Sequence, residues 1–171
     1  MDTWDALRSR RNVRRYTDDP IAPADLDRIL EAGRRSPSAR NRQWWDLVVC
    51  IDRDQLAELT AVWQGARHIG GAAAAVAVIV EATDDPHTRE TMQFDLGQLT
   101  MSMMVTATDL GIGSAHSSVR DQEVARRILG LPDDRICAWL IGFGYPADRP
   151  LSPITNPDRR PFAEVVHRGR W

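Results

Sequence analysis

The chain has no lysine: its 22 basic side chains are all arginine, set against 24 acidic ones for a formal net charge of −2 over 171 residues. So one-sided a choice of cation reflects the coding bias of a GC-rich genome more than chemistry, and an arginine at any single position carries little weight. The near balance of charge excludes a dedicated nucleic-acid binder, which would show a basic excess. Cysteine is scarce. Cys50 and Cys137 each lie in an apolar run and form no CxxC or other ligand spacing, so they read as buried thiols. No apolar run approaches the length of a membrane span, and the N-terminus is charged within its first residues, with no apolar core of a signal peptide. The expectation is a cytoplasmic protein with no membrane partner. A P-loop, a zinc helix motif and a nucleophile elbow are all missing. Gly111-Ile112-Gly113 and Gly142-Phe143-Gly144 do not continue to a third glycine or open a helix after a strand, which excludes a dinucleotide fingerprint. His68, His87, His116 and His167 lack metal spacing and read as surface or loop residues. Nothing repeats, and the length suits one domain over residues 1–171.

What is present alternates helix and strand. Helices are predicted over Thr3 to Ser9, from Pro23 to between Gly33 and Pro37, over Asp54 to Gln64, over Met92 to Leu110 and over Asp121 to Leu129. Strands are predicted over Leu47 to Ile51, Ala72 to Val80 and Arg135 to Phe143, and Gly111 to Ser118 reads as a turn running into a strand or loop. Thr17-Asp18-Asp19-Pro20 marks a turn. The order lacks regular strand-helix-strand units, so an α+β three-layer arrangement fits better than a doubly wound sheet. In the helix from Met92, residues Met92, Leu96, Leu99, Met103, Ala107 and Leu110 share one face, and Phe94, Gly97, Met101, Val105 and Thr108 lie roughly opposite. A helix apolar on two faces needs burial on both, which favours a partner chain over a monomer. The polar tail from Asp148 onward carries an apolar patch, Ala163 to His167, suited to an edge strand of this chain or another.

The informative segments are Ser9-Arg10-Arg11-Asn12-Val13-Arg14-Arg15-Tyr16 and Ser36-Pro37-Ser38-Ala39-Arg40-Asn41-Arg42-Gln43-Trp44. Arginine's planar fork can hold two phosphate oxygens at once and stays charged, so the first segment suits a phosphate. Not every arginine in such a run can face one ligand, and Arg8, Arg15 and Arg40 read as solvated. Tyr16, Trp44, Met101, Met103 and Met104 read as packing.

Arg10 to Tyr16 resembles the opening motif of the nitroreductase family, Arg-Arg-Ser-Val/Ile-Arg-x-Phe/Tyr. Further segments agree in order: Ser36-Pro37-Ser38-Ala39-x-Asn41-x-Gln43 before a strand, Asp95-Leu96-Gly97 and Asp109-Leu110-Gly111-Ile112-Gly113 at the two ends of a long helix, Gly144-Tyr145-Pro146, and Arg159 to His167. Together they span nearly the whole chain. Two residues depart from the pattern, Asn12 at the usual serine and Trp44 at the usual proline. Asn12 can still donate from its amide.

The resemblance implies an α+β fold with a mixed, mostly antiparallel sheet flanked by helices, built as an intertwined homodimer with FMN at the subunit interface. Arg10, Asn12 and Arg159 would hold the phosphate, and Arg11 and Arg14 would lie along the ribityl chain and pyrimidine edge. Pro37, Ser38, Ala39 and Asn41 would come from the other chain. Ser114 and Ala115 would lie near the dimethylbenzene or N5 side. A guanidinium at the N1 and C2-carbonyl edge favours the reduced flavin, and Arg14 is the candidate. Arg67 and His68 precede the second strand, where relatives place a polar flavin contact. The implied activity is hydride transfer from NADH or NADPH through flavin N5 to a nitroaromatic, quinone or similar small acceptor, with no catalytic side chain. Specialised dehydrogenation of a substrate and non-catalytic FMN storage are the alternatives.

Overall fold

An all-apolar run with no polar face must be covered on both sides, and here it is a central strand that organises the molecule. The computed structural model describes all 171 residues. Its sheet has four strands, β1 (Trp45–Cys50), β2 (Ala74–Glu81), β3 (Gly113–Ser118) and β4 (Arg135–Gly144), in the order β1-β2-β4-β3 with each neighbouring pair antiparallel. Every residue of β2 except Glu81 is buried. Its valines at 76, 78 and 80 enter one core, and Ala75, Ala77 and Ile79 enter the other.

Over the first face lie α2 (Pro23–Arg34) and α4 (Pro86–Asp109), which bring Ile29, Leu96, Leu99 and Met103 against Ile141 and Phe143. The two helices approach closely at Gly33, where a Cβ would stand 2.7 Å from Cγ of Met103. Over the second face lie α3 (Arg53–Glu58), two 3-10 segments (Leu59–Val62 and Gln64–Gly71) and α5 (Gln122–Leu129), with Leu56, Leu59, Val62 and Ile69 in the core. Three layers result, as expected. A short α1 (Thr3–Ser9) packs on α4, and α6 (Phe162–Val165) lies in the tail. Helix starts are fixed by Asp2, Asp52, Asp85 and Asp121, whose carboxylates each accept an amide N–H three residues on. Both cysteines are buried and free, and burial pushes the Cys50 and Cys137 thiols up to about 11 and about 12, so both are inert. No helix is long and apolar enough to cross a membrane.

Four expectations need correction. α4 starts at Pro86, not Met92: the Asp85 cap and Pro86 nucleate an exposed first turn that carries no apolar signal. The helix expected over Asp54 to Gln64 stops at Glu58 and tightens into 3-10 turns. Leu56, Leu59 and Val62 recur every third residue, a spacing that suits a 3-10 helix as well as an α-helix. Ala163 to His167 adds no strand; α6 takes its place, with Phe162 and Val165 exposed. On the outer face of α4, Thr108 is buried and gives its hydroxyl to the Met104 carbonyl at 2.9 Å, whereas Phe94 and Met101 are 72% and 40% exposed.

Candidate functional site

β3 is an edge strand, and the Arg10 to Tyr16 segment lies along it. Val13 donates its N–H to the Ser114 carbonyl at 3.0 Å, and Thr17 donates to Tyr145 at 2.9 Å. Val13 is buried, pressed on Gly113 so closely that a Cβ there would stand 2.7 Å from its side chain. With Val13 turned inward, extended alternation turns Asn12 and Arg14 outward, and both are exposed. Ser114 turns its carbonyl to the sheet edge, so period-two alternation turns the backbone of His116 the same way.

The tail is brought back to this segment by three ties. Ala147 donates to the Arg15 carbonyl and Ile154 to the Arg8 carbonyl, both at 3.0 Å. Arg11 donates from Nη2 to Asp148 Oδ1 and to the Arg149 carbonyl, both at 2.7 Å. That pairing holds the Asp148 carboxyl at about 2, and it commits the Arg11 guanidinium to the tail. Arg159 thereby arrives near Arg10. Burial first, then the positive charges of Arg159 and Arg14, lower the pKa of Arg10. None of these three arginines is in an ion pair.

Arg10 reaches into a cavity of about 290 Å³ between α4 and the sheet edge, lined also by Gln93, Gly97, Met101, His116 and Trp139. Its Nη2 donates to Asn12 Oδ1 at 2.8 Å and meets Sδ of Met104 at 3.3 Å, while its Nε is buried without a partner. The Ser114 hydroxyl is buried and unpartnered as well. His116 stacks edge-on against Trp139, whose indole donates to Gln93 Oε1 at 3.2 Å. Desolvation, then Arg10 and Arg14, lower the His116 pKa.

His68 is buried rather than on the surface, a correction to its reading as a loop histidine. Its Nδ1 lies 3.2 Å from the Gly65 carbonyl and its Nε2 3.1 Å from the Ala115 carbonyl. It thus braces β3 from the second layer. Arg67 is exposed. Arg8 is half-buried and paired with Asp5, not solvated, whereas Arg15 and Arg40 are exposed.

The structure therefore brings together Arg10, Asn12, Arg14, Ser114, Ala115 and Arg159. Pro37, Ser38, Ala39 and Asn41 lie elsewhere in the same chain. Pro37 lines an adjoining cavity of about 910 Å³ along the outer face of α4, with Phe94, Met101 and Val105; it shares Gln93, Gly97 and Met101 with the cavity that holds Arg10. Ala39 and Asn41 bound a 3-10 turn (Ala39–Asn41), and Arg40, Asn41 and, two residues beyond it, Gln43 have positive φ. The turn is tied to the carboxyl of Asp95, a residue the sequence marked only as part of a helix motif. Asp95 lies three residues after Met92 and four before Leu99, so helical spacing places a charge on an apolar stripe, a signal that was legible. His116, Trp139 and Gln93 meet only through the fold.

Residues 7–65 and 60–145 match the model of the nitroreductase family. A protein of Archaeoglobus fulgidus that carries the provisional name NADH dehydrogenase/NAD(P)H nitroreductase is 29% identical over 171 residues, 95% of each chain. The oxygen-insensitive NADPH nitroreductase of Salmonella typhimurium is 26% identical, over 99% of this chain and 74% of its own. Among solved structures, the NADPH:FMN oxidoreductase of Vibrio harveyi complexed with NAD+ superposes with a TM-score of 0.86 at 20% identity, covering 100% of this chain and 78% of its own.

Proposed function

This chain belongs to the nitroreductase family, and we propose that it is an oxidoreductase that binds FMN, takes hydride from NADH or NADPH and delivers electrons to a small acceptor such as a nitroaromatic or a quinone. The observation that carries the reading is the setting of Arg10, a half-buried guanidinium whose pKa is lowered by burial and then by the charges of Arg159 and Arg14, with none of the three in an ion pair. Such a cluster is unfavourable by itself and becomes favourable around an anion of nearly two charges, which a phosphate monoester is near neutral pH. The partnerless buried Nε of Arg10 fits the same need.

Bound FMN supplies hydride acceptance at N5, and the protein supplies placement and field. Arg10 and Arg159 hold phosphate oxygens, with the amide of Asn12 as a further donor. Arg14 offers a fixed positive charge to the pyrimidine edge. Ser114 and Ala115, at 1% and 0% exposure, would back the N5 side from behind rather than line it, and His68 keeps that strand in place. Arg11 acts at one remove, holding the tail that carries Arg159.

The site is completed by a second copy of the chain. Phe94 and Met101, exposed along a cavity of about 910 Å³, are the apolar surface such a copy would cover. It would bring Pro37, Ser38, Ala39 and Asn41 to the arginine cluster. Purified protein should be yellow or turn yellow with added FMN, sediment as a dimer, and bleach when NADPH or NADH is added without oxygen. Protein that stays colourless after FMN addition overturns the reading. A yellow protein that neither donor bleaches favours storage or substrate oxidation instead.

A further inference from the structure

The turn at residues 38–44 has an unfavourable backbone and is tied to α4 through a single carboxyl. Arg40, Asn41 and Gln43 have φ of 53°, 56° and 50°, a left-handed conformation that side chains disfavour. Internal bonds set the local shape: Asn41 donates its N–H to the Ser38 carbonyl at 2.9 Å, and Gln43 donates to the Ser38 hydroxyl at 2.9 Å. The ties to α4 converge elsewhere. The Ala39 N–H at 2.9 Å and the Trp44 indole N–H at 2.8 Å both donate to Oδ2 of Asp95. Asp95 is 2% exposed, and its Oδ1 accepts from Gln98 Nε2 at 3.4 Å. The Arg42 guanidinium lies 4.8 Å over the Trp44 ring and covers the indole from outside.

We propose that Asp95 is a positioning residue for the cofactor, with Trp44 as its second point of attachment: together they latch the 38–44 turn to α4 in the shape that presents Ser38 and Asn41 to the flavin held by a second copy. The inference rests on the FMN reading above. An apolar replacement of Asp95 would leave the Ala39 and Trp44 donors without a partner, and the turn would relax toward right-handed or extended conformations. Asp95 also adjoins Phe94 and precedes Gly97 by half a turn. The latch therefore fixes the turn relative to the helix face assigned to the second copy.

The test is FMN affinity of the flavin-stripped full-length protein, followed by flavin fluorescence, with sedimentation and hydrogen exchange at the Ala39 amide on the same samples. Asp95→Ala should weaken FMN binding by about tenfold or more and speed exchange at Ala39. Trp44→Phe removes one of the two donors and should cost about threefold to tenfold. Asp95→Asn can still accept both N–H groups through its amide oxygen, with the Gln98 amide turned to receive the new donor, and should recover affinity to within about threefold of the parent. That rescue separates positioning from a loss of charge. Unchanged FMN affinity in Asp95→Ala and Trp44→Phe, in a parent that binds FMN, overturns the latch and leaves the FMN reading standing. An Asp95→Asn defect as large as that of Asp95→Ala also overturns it. Where Asp95→Ala does not fold, Trp44→Phe decides alone: parental affinity in that variant removes the latch. A parent that binds no FMN overturns the FMN reading itself.

Discussion

The two segments assigned to the flavin are positioned by opposite means. Residues 10–17 are fastened through their backbone: Val13 to Ser114, Thr17 to Tyr145 and Arg15 to Ala147, all within 3.0 Å. Residues 38–44 are fastened through side chains, the Asp95 carboxyl and the Trp44 indole. A backbone-held segment frees its alternate side chains for a ligand, so Arg10, Asn12 and Arg14 can change without loss of the fold. A side-chain-held turn has no such freedom, because the residues that shape it are the residues available for change. Single substitutions should therefore separate binding from folding in the first segment and couple them in the second.

The largest expected effect breaks the first segment's chemistry and spares its frame. Arg10→Ala should weaken FMN binding by about 1–3 kcal/mol, the scale of a lost charge-assisted bond. Riboflavin, which lacks the phosphate, should bind the variant and the parent alike; an equal loss for both ligands would move Arg10 away from the phosphate. Gly113→Ala breaks the frame and spares the chemistry. The new Cβ would press on the Val13 side chain at 2.7 Å, and overpacking of this kind costs about 1–3 kcal/mol of stability in denaturant titration. It should lower FMN affinity too, although residue 113 carries no ligand group.

Tyr16→Phe removes the hydroxyl that donates to the Gly142 carbonyl at 3.2 Å and should cost about 0.5–1.5 kcal/mol of stability. FMN affinity should stay within experimental error, since the tyrosine ring remains packed on Gly144. The smallest effect concerns His68. Burial holds its pKa below the ordinary 6.5, so the unfolded chain binds the proton first as pH falls. Stability should therefore begin to decline below about pH 6.5 and continue to decline until the folded-state imidazole is protonated. His116, lowered in the same direction by burial and by Arg10 and Arg14, contributes to the same slope. His68→Asn should flatten this decline in part, measured as denaturant midpoint against pH, and an unaltered slope would exclude His68 as a source.

Much of the fold was legible because its signals are local. The run from Ala72 to Val80 is apolar at every position, and its short length and valine content favour a buried central strand. Asp121 caps α5 where the sequence placed a helix start. The regions that were misread carry ambiguous or absent periodicity. Spacing of three in Leu56, Leu59 and Val62 suits two helix types, and the first turn of α4 has no buried face. Within the candidate site, Arg10, Asn12, Arg14 and Arg159 were singled out because motif order marks them. His68 was misread because its burial depends on a carbonyl 47 residues away. Asp95 lay within a quoted motif, yet its two donors reach it from a turn more than fifty residues earlier.

The most direct test of the central claim, that one FMN site is assembled from two chains, uses mixed dimers. One chain carries Arg10→Ala with Arg14→Ala, and the other carries Ser38→Ala with Asn41→Ala; each alone should form dimers that bind FMN poorly. In a mixed dimer the shared-site arrangement gathers all four defects into one site and leaves the other intact. One tightly bound FMN per mixed dimer is expected. A mixed dimer with no tight site would place both segments in a single chain's site and contradict that arrangement.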